Sequence, residues 1–234
     1  MTNHLPAGSK KTDRDNHLWL KLWRDRLTDF HQLKVNKFLA AFWPNIDLLK
    51  GSRVFVPLCG KSLDMTWLVK QGLDVIGVEI SPVAVKAFFH ENGLKPMKRR
   101  VGKFTLWKHG HISILCGDYF SLKGSDLGRI DIVYDRAALT ALPEDIRKHY
   151  VAHLQLIAPQ AGIFLLTVED IEGAFYGQGP SVDEEIKSLY SEEFSIKLAH
   201  VEHCVENEIQ SPHQPVTRTE YKVYQLSSKT GNAA

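Results

Sequence analysis

Cysteine is scarce: Cys59, Cys116 and Cys204 are the three in 234 residues, far apart and never spaced Cys-x-x-Cys. That excludes a disulfide framework or a zinc cluster and fits a reducing compartment. Long apolar runs are missing; none approaches the roughly 20 residues that a membrane span needs. Residues 1–16 are polar and mixed in charge, without the apolar core of a signal peptide. The expected location is the cytoplasm, with no membrane partner. An excess of one charge is missing too. The formal net charge is +2, too balanced for nucleic acid, whose binding needs concentrated positive charge. The basic clusters Lys10-Lys11 and Lys98-Arg99-Arg100 read as solvated faces or loops. Repeats and low-complexity tracts are absent, and the small net charge permits a monomer.

What is present is ordinary for a globular protein: 44% hydrophobic and 24% charged residues, in a chain long enough for one domain with a large core. Residues 1–16 lack apolar periodicity and are expected to form a disordered extension. A single domain is expected over 17–226, opened by a helical lid over 17–50, with 227–234 a frayed polar tail. In the lid, Leu18, Trp19, Leu22 and Trp23 place two tryptophans on one helical stripe. Phe30-His31-Gln32 follows a break, and a second amphipathic helix runs from Val35 to Phe42 until Pro44 stops it.

Strand patterns cover Arg53–Leu58, Asp74–Glu79, Phe104–Trp107, His111–Cys116, Asp131–Tyr134, Gly162–Val168, Phe194–Val205 and Thr217–Leu226. Helical patterns start near Ser62, at Pro82 after the capping residue Ser81, at Pro143 and at Asp183. Strands alternating with helices predict a mostly parallel α/β sheet with helices on both faces. The closing strand pair, with no helical pattern between its members, predicts one antiparallel strand.

The chemistry gathers at strand ends. Arg53-Val54-Phe55-Val56-Pro57-Leu58-Cys59-Gly60-Lys61-Ser62 is a strand running into a glycine turn, and Glu79 closes the next strand nineteen positions after Gly60. This is the opening of a nucleotide-binding β-α-β unit, with a carboxylate where ribose hydroxyls would sit. A P-loop is excluded, because position 55 is Phe55 where that motif needs glycine; Gly-x-Gly-x-x-Gly is also absent. Asp118-Tyr119 and Asp135-Arg136 end two later strands. Three acids on one rim disfavour a triphosphate and suit a ligand with ribose hydroxyls, an adenine amino group and a positive sulfonium. His149 and His153 stand four apart on a helix but lack the glutamate of His-Glu-x-x-His, and read as a helix face.

Together these stretches resemble the thiopurine S-methyltransferases. The match rests on Val54-Phe55-Val56-Pro57-Leu58-Cys59-Gly60-Lys61, on Gly77-Val78-Glu79-Ile80-Ser81 and on Tyr134-Asp135-Arg136-Ala137-Ala138-Leu139. Trp19, Trp23, Phe30-His31-Gln32, Val35-Asn36 and Phe42-Trp43-Pro44 extend it over roughly residues 18 to 226. The resemblance implies a Rossmann-like class I methyltransferase fold with a seven-stranded sheet and S-adenosyl-L-methionine as cofactor. It implies that Leu58 and Gly60 line the methionine and ribose side, that Glu79 binds the ribose hydroxyls, and that Asp118 and Tyr119 flank the adenine. Arg136 would sit beside cofactor and acceptor, Trp23 and Trp19 would close a lid, and Phe30 would face the acceptor. One loop departs from the family: Gly177-Gln178-Gly179-Pro180-Ser181 stands where members carry a Gly-Pro-Pro-Phe type sequence, with Phe175-Tyr176 upstream.

The implied reaction moves a methyl group to a thiopurine or small aromatic thiol, or to a selenium or tellurium oxyanion. Such a nucleophile is largely ionised near neutral pH and mainly needs alignment and exclusion of water. Arg136 could stabilise the anionic acceptor, and Asp135 could orient Arg136 or accept a proton. The alternative is a methyltransferase-like protein that holds cofactor or oxyanion without turnover.

Overall fold

Successive residues of the central strands face opposite sides of the sheet, and both sets are apolar, as expected of parallel strands covered by helices on both faces. Phe55, Val133, Ile163 and Leu165 pack with Leu139, Ile146, Tyr150 and Leu154 on one face. Val54, Val56, Ile132, Tyr134 and Phe164 pack with Leu39, Met65, Leu68 and Phe88 on the other. The computed structural model describes residues 7–171, 181–206 and 217–229.

In chain order the elements are α1 (Ala7–Arg24), α2 (Lys37–Phe42), β1 (Arg53–Val56), α3 (Asp64–Lys70), β2 (Asp74–Glu79), α4 (Pro82–Glu91), β3 (Met97–Val101), β4 (Phe104–His109) and β5 (Ile112–Cys116). There follow α5 (Gly124–Leu127), β6 (Ile132–Arg136), α6 (Ala138–Ala141), α7 (Glu144–Ile157), β7 (Gly162–Asp170), α8 (Val182–Tyr190), β8 (Phe194–Glu206) and β9 (Thr217–Ser228). One nine-stranded sheet has the order β3-β4-β5-β2-β1-β6-β7-β9-β8. Pairing is parallel from β5 through β7, and β9 runs antiparallel to both β7 and β8. The seven strands from β5 to β8 therefore form the anticipated sheet with its single reversed strand.

The hairpin β3–β4 pairs antiparallel onto β5 and takes the sheet beyond the seven strands the resemblance implies; β4 covers the expected strand Phe104–Trp107, and β3 is the one described strand without a sequence pattern. Lys98-Arg99-Arg100 lies within β3, exposed along the sheet's edge. Charged edge strands resist pairing with a second chain.

The N-terminal expectation also needs correction. Instead of a disordered extension to residue 16, α1 begins at Ala7. Its inward stripe is Thr12, Asp15, Trp19 and Trp23, whereas Leu18 is exposed. Half of that stripe is polar, so apolar periodicity does not reveal it. α1 crosses α4 and α7. Among the described residues no helix is long and apolar enough to cross a membrane.

The sheet reverses its winding at β1, from which the chain moves out to β2 on one side and later to β6 on the other. The carboxyl ends of β1, β2, β5 and β6 thus open on a crevice at the switch point. Gly77 in β2 lets the turn after β1 sit against the sheet: a Cβ there would lie 2.7 Å from Cys59 Sγ and 3.3 Å from Met65 Sδ. Gly77→Ala is expected to cost roughly 1–3 kcal/mol through overpacking. Adding Cys59→Ala should recover part of that loss, as read by denaturant unfolding; no recovery would show that the clash lies elsewhere.

Candidate active site

The turn after β1 is held in an unusual shape. Leu58 and Gly60 take φ of +46° and +52°, and a left-handed leucine costs about 1–2 kcal/mol. Neighbouring bonds retain it. Cys59 N donates to Val78 O at 2.9 Å, and Gly60 N donates to Glu79 Oε2 at 2.8 Å. Ser81 N donates to Glu79 Oε1 at 2.7 Å. Glu79 is buried. Desolvation pushes its carboxyl up to about 7 from an ordinary value near 4.5, although the N–H groups of Ser81, Gly60 and Ile80 oppose the rise.

The N-terminal helix covers this turn. A Cβ on Gly60 would lie 3.0 Å from Trp23 Cζ2, so the bare glycine is the seat of the indole. Trp19 and Trp23 both meet Phe30 edge to face, with centroids 5.4 and 5.5 Å apart. Asp15 and Asn16, from the same helix, also line the cleft. His31 lines it as well, and burial, then the Lys61 charge, holds its ring below the usual histidine range. Lys61, suggestive of a phosphate ligand, instead pairs with Glu91 at 2.8 Å.

At the end of β6, neighbouring residues part company. Asp135 is fully buried and caps α6: Oδ1 accepts from Ala138 N at 2.9 Å and Leu139 N at 3.3 Å, and Oδ2 accepts from Tyr150 OH at 2.7 Å. Desolvation raises its carboxyl to about 6, against these bonds. The chain then turns through Ala137 at φ +57°, and Arg136 lines the cleft. The expectation that Asp135 orients Arg136 or takes a proton is therefore corrected, because its oxygens serve α6 and Tyr150. Arg136 is paired with Asp64: Nε lies 3.0 Å from Oδ2, off the line of a hydrogen bond. Nη2 donates to Ser62 Oγ at 3.2 Å.

At the end of β5, Asp118 accepts from Phe120 N at 3.1 Å and Ser121 Oγ at 3.4 Å, and does not line the cleft. It fixes the tight turn Tyr119–Ser121. Tyr119 and Phe120 do line the cleft. The Tyr119 hydroxyl donates to Tyr150 O at 3.1 Å, and the two rings stack at 4.9 Å. His149 stacks on Phe120 at 4.8 Å, and His153 Nε2 lies 3.1 Å from Tyr119 O. Of the three acids expected on the rim, Glu79 alone reaches the cleft.

The structure thus brings Trp19, Trp23 and Phe30 together with Leu58, Gly60 and Glu79 around one cleft, and adds Tyr119 and Arg136. Its volume is about 980 Å³, counting the part open to solvent. Sequence reasoning missed Asp15, Asn16, His31, Ser62 and Phe120 on its walls, and Asp64 behind them. Ser62 ends the quoted glycine-turn stretch, Asp64 lies two residues beyond it, and His31 stands within the quoted Phe30-His31-Gln32; Asp15, Asn16 and Phe120 carried no pattern. Phe175-Tyr176 and Gly177–Pro180 lie outside the described residues. Gly60→Ala is expected to cost about 1–2 kcal/mol for its left-handed backbone and to unseat Trp23. A red shift of tryptophan emission, absent when Trp23→Phe is already in place, checks it; an unshifted spectrum contradicts the seating.

The comparisons agree with this geometry. The family model described as thiopurine S-methyltransferase matches residues 14–229. A thiopurine S-methyltransferase of Stutzerimonas stutzeri strain A1501 is 59% identical over 220 residues, 93% of each chain. One from Nitrosospira multiformis is 40% identical over 214 residues, 91% of this chain and 97% of that one. Among solved structures, the fold resembles the Burkholderia thailandensis 1,6-didemethyltoxoflavin-N1-methyltransferase, solved with 1,6-didemethyltoxoflavin and S-adenosylhomocysteine bound. That likeness has a TM-score of 0.61 at 13% identity, covering 97% of this chain and 93% of that one. A methyltransferase dependent on S-adenosylmethionine from Anabaena variabilis gives 0.59 at 15% identity, with 92% and 95% covered. With a family model spanning most of its length and relatives this similar, the chain belongs to the thiopurine S-methyltransferase family.

Proposed function

We propose that the cleft joins S-adenosyl-L-methionine to a small soft nucleophile, a thiopurine or aromatic thiol, with selenium and tellurium oxyanions as further acceptors. Family membership makes the chain a methyltransferase that uses this cofactor. The observation that carries the site assignment is Glu79: a buried carboxylate at the carboxyl end of β2, bonded to the glycine turn and opening on an aromatic cleft. The residues present fit the cofactor. Glu79 is the acceptor for ribose hydroxyls, Leu58 and Gly60 form the wall beside methionine and ribose, and Tyr119 and Phe120 offer apolar surface to the adenine. Asp118 serves that subsite indirectly, by fixing their turn.

The cofactor supplies a sulfonium methyl, an electrophile that needs an aligned nucleophile more than a strong base. Arg136 faces the acceptor and stabilises its negative charge, the residue's contribution to catalysis. Asp135 contributes by capping the helix that follows. Trp19 and Trp23 cover the cofactor, Phe30 borders the acceptor, and the three rings exclude water. A screen of thiopurines, aryl thiols, selenite and tellurite with S-adenosylmethionine tests this reading. Methylated product is expected with the thiols; absence of both product and thermal shift at millimolar cofactor would sink it.

Glu79 also sets a pH dependence. Its carboxylate form accepts both hydroxyl bonds, so cofactor affinity should rise as pH climbs through about 7, with a proton released on binding. The unliganded protein behaves oppositely. A folded-state pKa above the ordinary value favours the fold fully below about 4.5, and the contribution is lost as pH rises through about 7. Calorimetry in buffers of different ionisation heat should show the release near pH 6.5, and Glu79→Gln should abolish it. The same substitution should weaken cofactor binding by roughly 1–3 kcal/mol; unchanged affinity would refute the assignment.

A further inference from the structure

We infer that Asp64 is a positioning residue: it presents Arg136 to the methyl acceptor and ties that arginine to the covering N-terminal segment. The inference rests on the reading of the cleft proposed above.

Asp64 opens α3 and is buried to 1% exposure. Its two oxygens take three partners from distant parts of the chain. Oδ1 accepts from Asn36 N at 2.8 Å. Oδ2 accepts from Tyr134 OH at 2.8 Å and lies 3.0 Å from Arg136 Nε. Ser62 Oγ accepts from Arg136 Nη2 at 3.2 Å and from Asp64 N at 3.3 Å. Asp64 and Ser62 therefore flank one edge of the guanidinium, the edge formed by Nε and Nη2. An arginine has a second edge, formed by its two terminal nitrogens, which matches a bidentate anion or a heteroatom pair. With the first edge held against α3, the second is the one left to address an acceptor.

Asn36 extends the connection to the lid. Its backbone N–H bonds Asp64, its Oδ1 caps α2 through Phe38 N at 2.9 Å and Leu39 N at 3.2 Å, and its Nδ2 donates to Gln32 Oε1 at 3.1 Å. Gln32 stands two residues beyond Phe30, the ring that meets Trp19 and Trp23. One buried carboxylate thus fixes both the arginine and Asn36, the residue that ends the segment carrying Phe30. A purely structural carboxylate would need no such link to a group lining the cleft.

A double-mutant cycle tests this. Asp64→Asn and Arg136→Met are compared, singly and together, for acceptor binding to protein loaded with S-adenosylhomocysteine and for kcat/KM on one aryl thiol. Asp64→Asn alone is expected to weaken acceptor binding on the order of tenfold while changing S-adenosylhomocysteine affinity less than about threefold. In the Arg136→Met background the same change should have less than about a twofold effect, because the group it positions is gone. Equal losses in both backgrounds would overturn the inference and leave Asp64 a structural residue, as would equal weakening of acceptor and S-adenosylhomocysteine. If Asp64→Asn does not fold, Ser62→Ala, on the same edge of the guanidinium, enters the cycle with the same expectation. Failure of the parent protein to bind S-adenosylhomocysteine would instead defeat the proposed function.

Discussion

The bond between Gly60 N and Glu79 Oε2 joins the first turn of the sheet to the end of its neighbouring strand, and the cleft is shaped by what that bond requires. A carboxylate without an adjacent cation must be satisfied by N–H groups once it leaves water. Gly60 and Ser81 provide them. For Gly60 N to reach Glu79, Leu58 and Gly60 take left-handed backbone. For the turn to lie so close, Gly77 leaves room for Cys59. Strain at Leu58, a missing side chain at Gly77 and a buried acid are individually unfavourable, and they hold together because each makes another possible.

The same turn seats the covering helix. Gly60 offers a flat patch with no Cβ, and Trp23 rests on it. Trp23 and Trp19 then hold Phe30 at right angles. The covering helix therefore reads the shape of the glycine turn directly, through one indole. Its stripe also includes Thr12 and Asp15, and Asp15 lines the cleft beside Trp19 and Trp23.

Local chemistry made some of this legible in the sequence. β2 and α4 have the expected bounds because Ser81-Pro82 is a cap followed by a residue already set for helix. The turn after β1 and the acid it bonds were visible from one glycine and a carboxylate nineteen positions on. The first half of α1 escaped because its buried face mixes polar and apolar residues, and β3 because its residues are exposed on both faces. Asp135 was misjudged because the turn that lets it cap α6 runs through Ala137, a non-glycine residue at positive φ. Asp64 was missed for a different reason: two of its hydrogen-bond partners lie 28 and 70 residues away. No local pattern reports such pairings.

Asp64 and Glu79 also divide the electrostatics of the cleft. Arg136 carries the charge that suits an anionic acceptor, yet with cofactor bound as proposed it would share the cleft with a sulfonium of the same sign. At an effective dielectric of about 20, two such charges 4 Å apart repel by roughly 4 kcal/mol, enough to oppose binding severely. The Asp64 carboxylate, 3.0 Å from Arg136 Nε, would oppose that repulsion while leaving N–H donors to meet the acceptor. Glu79 is raised by burial and opposed only by backbone N–H groups, so its charge would remain available to the nucleoside end of a cofactor bound as proposed. The buried Asp64 behind Arg136 is placed to offset the arginine's charge. Asp135, its neighbour in sequence, cannot fill that place, because its oxygens already serve α6 and Tyr150.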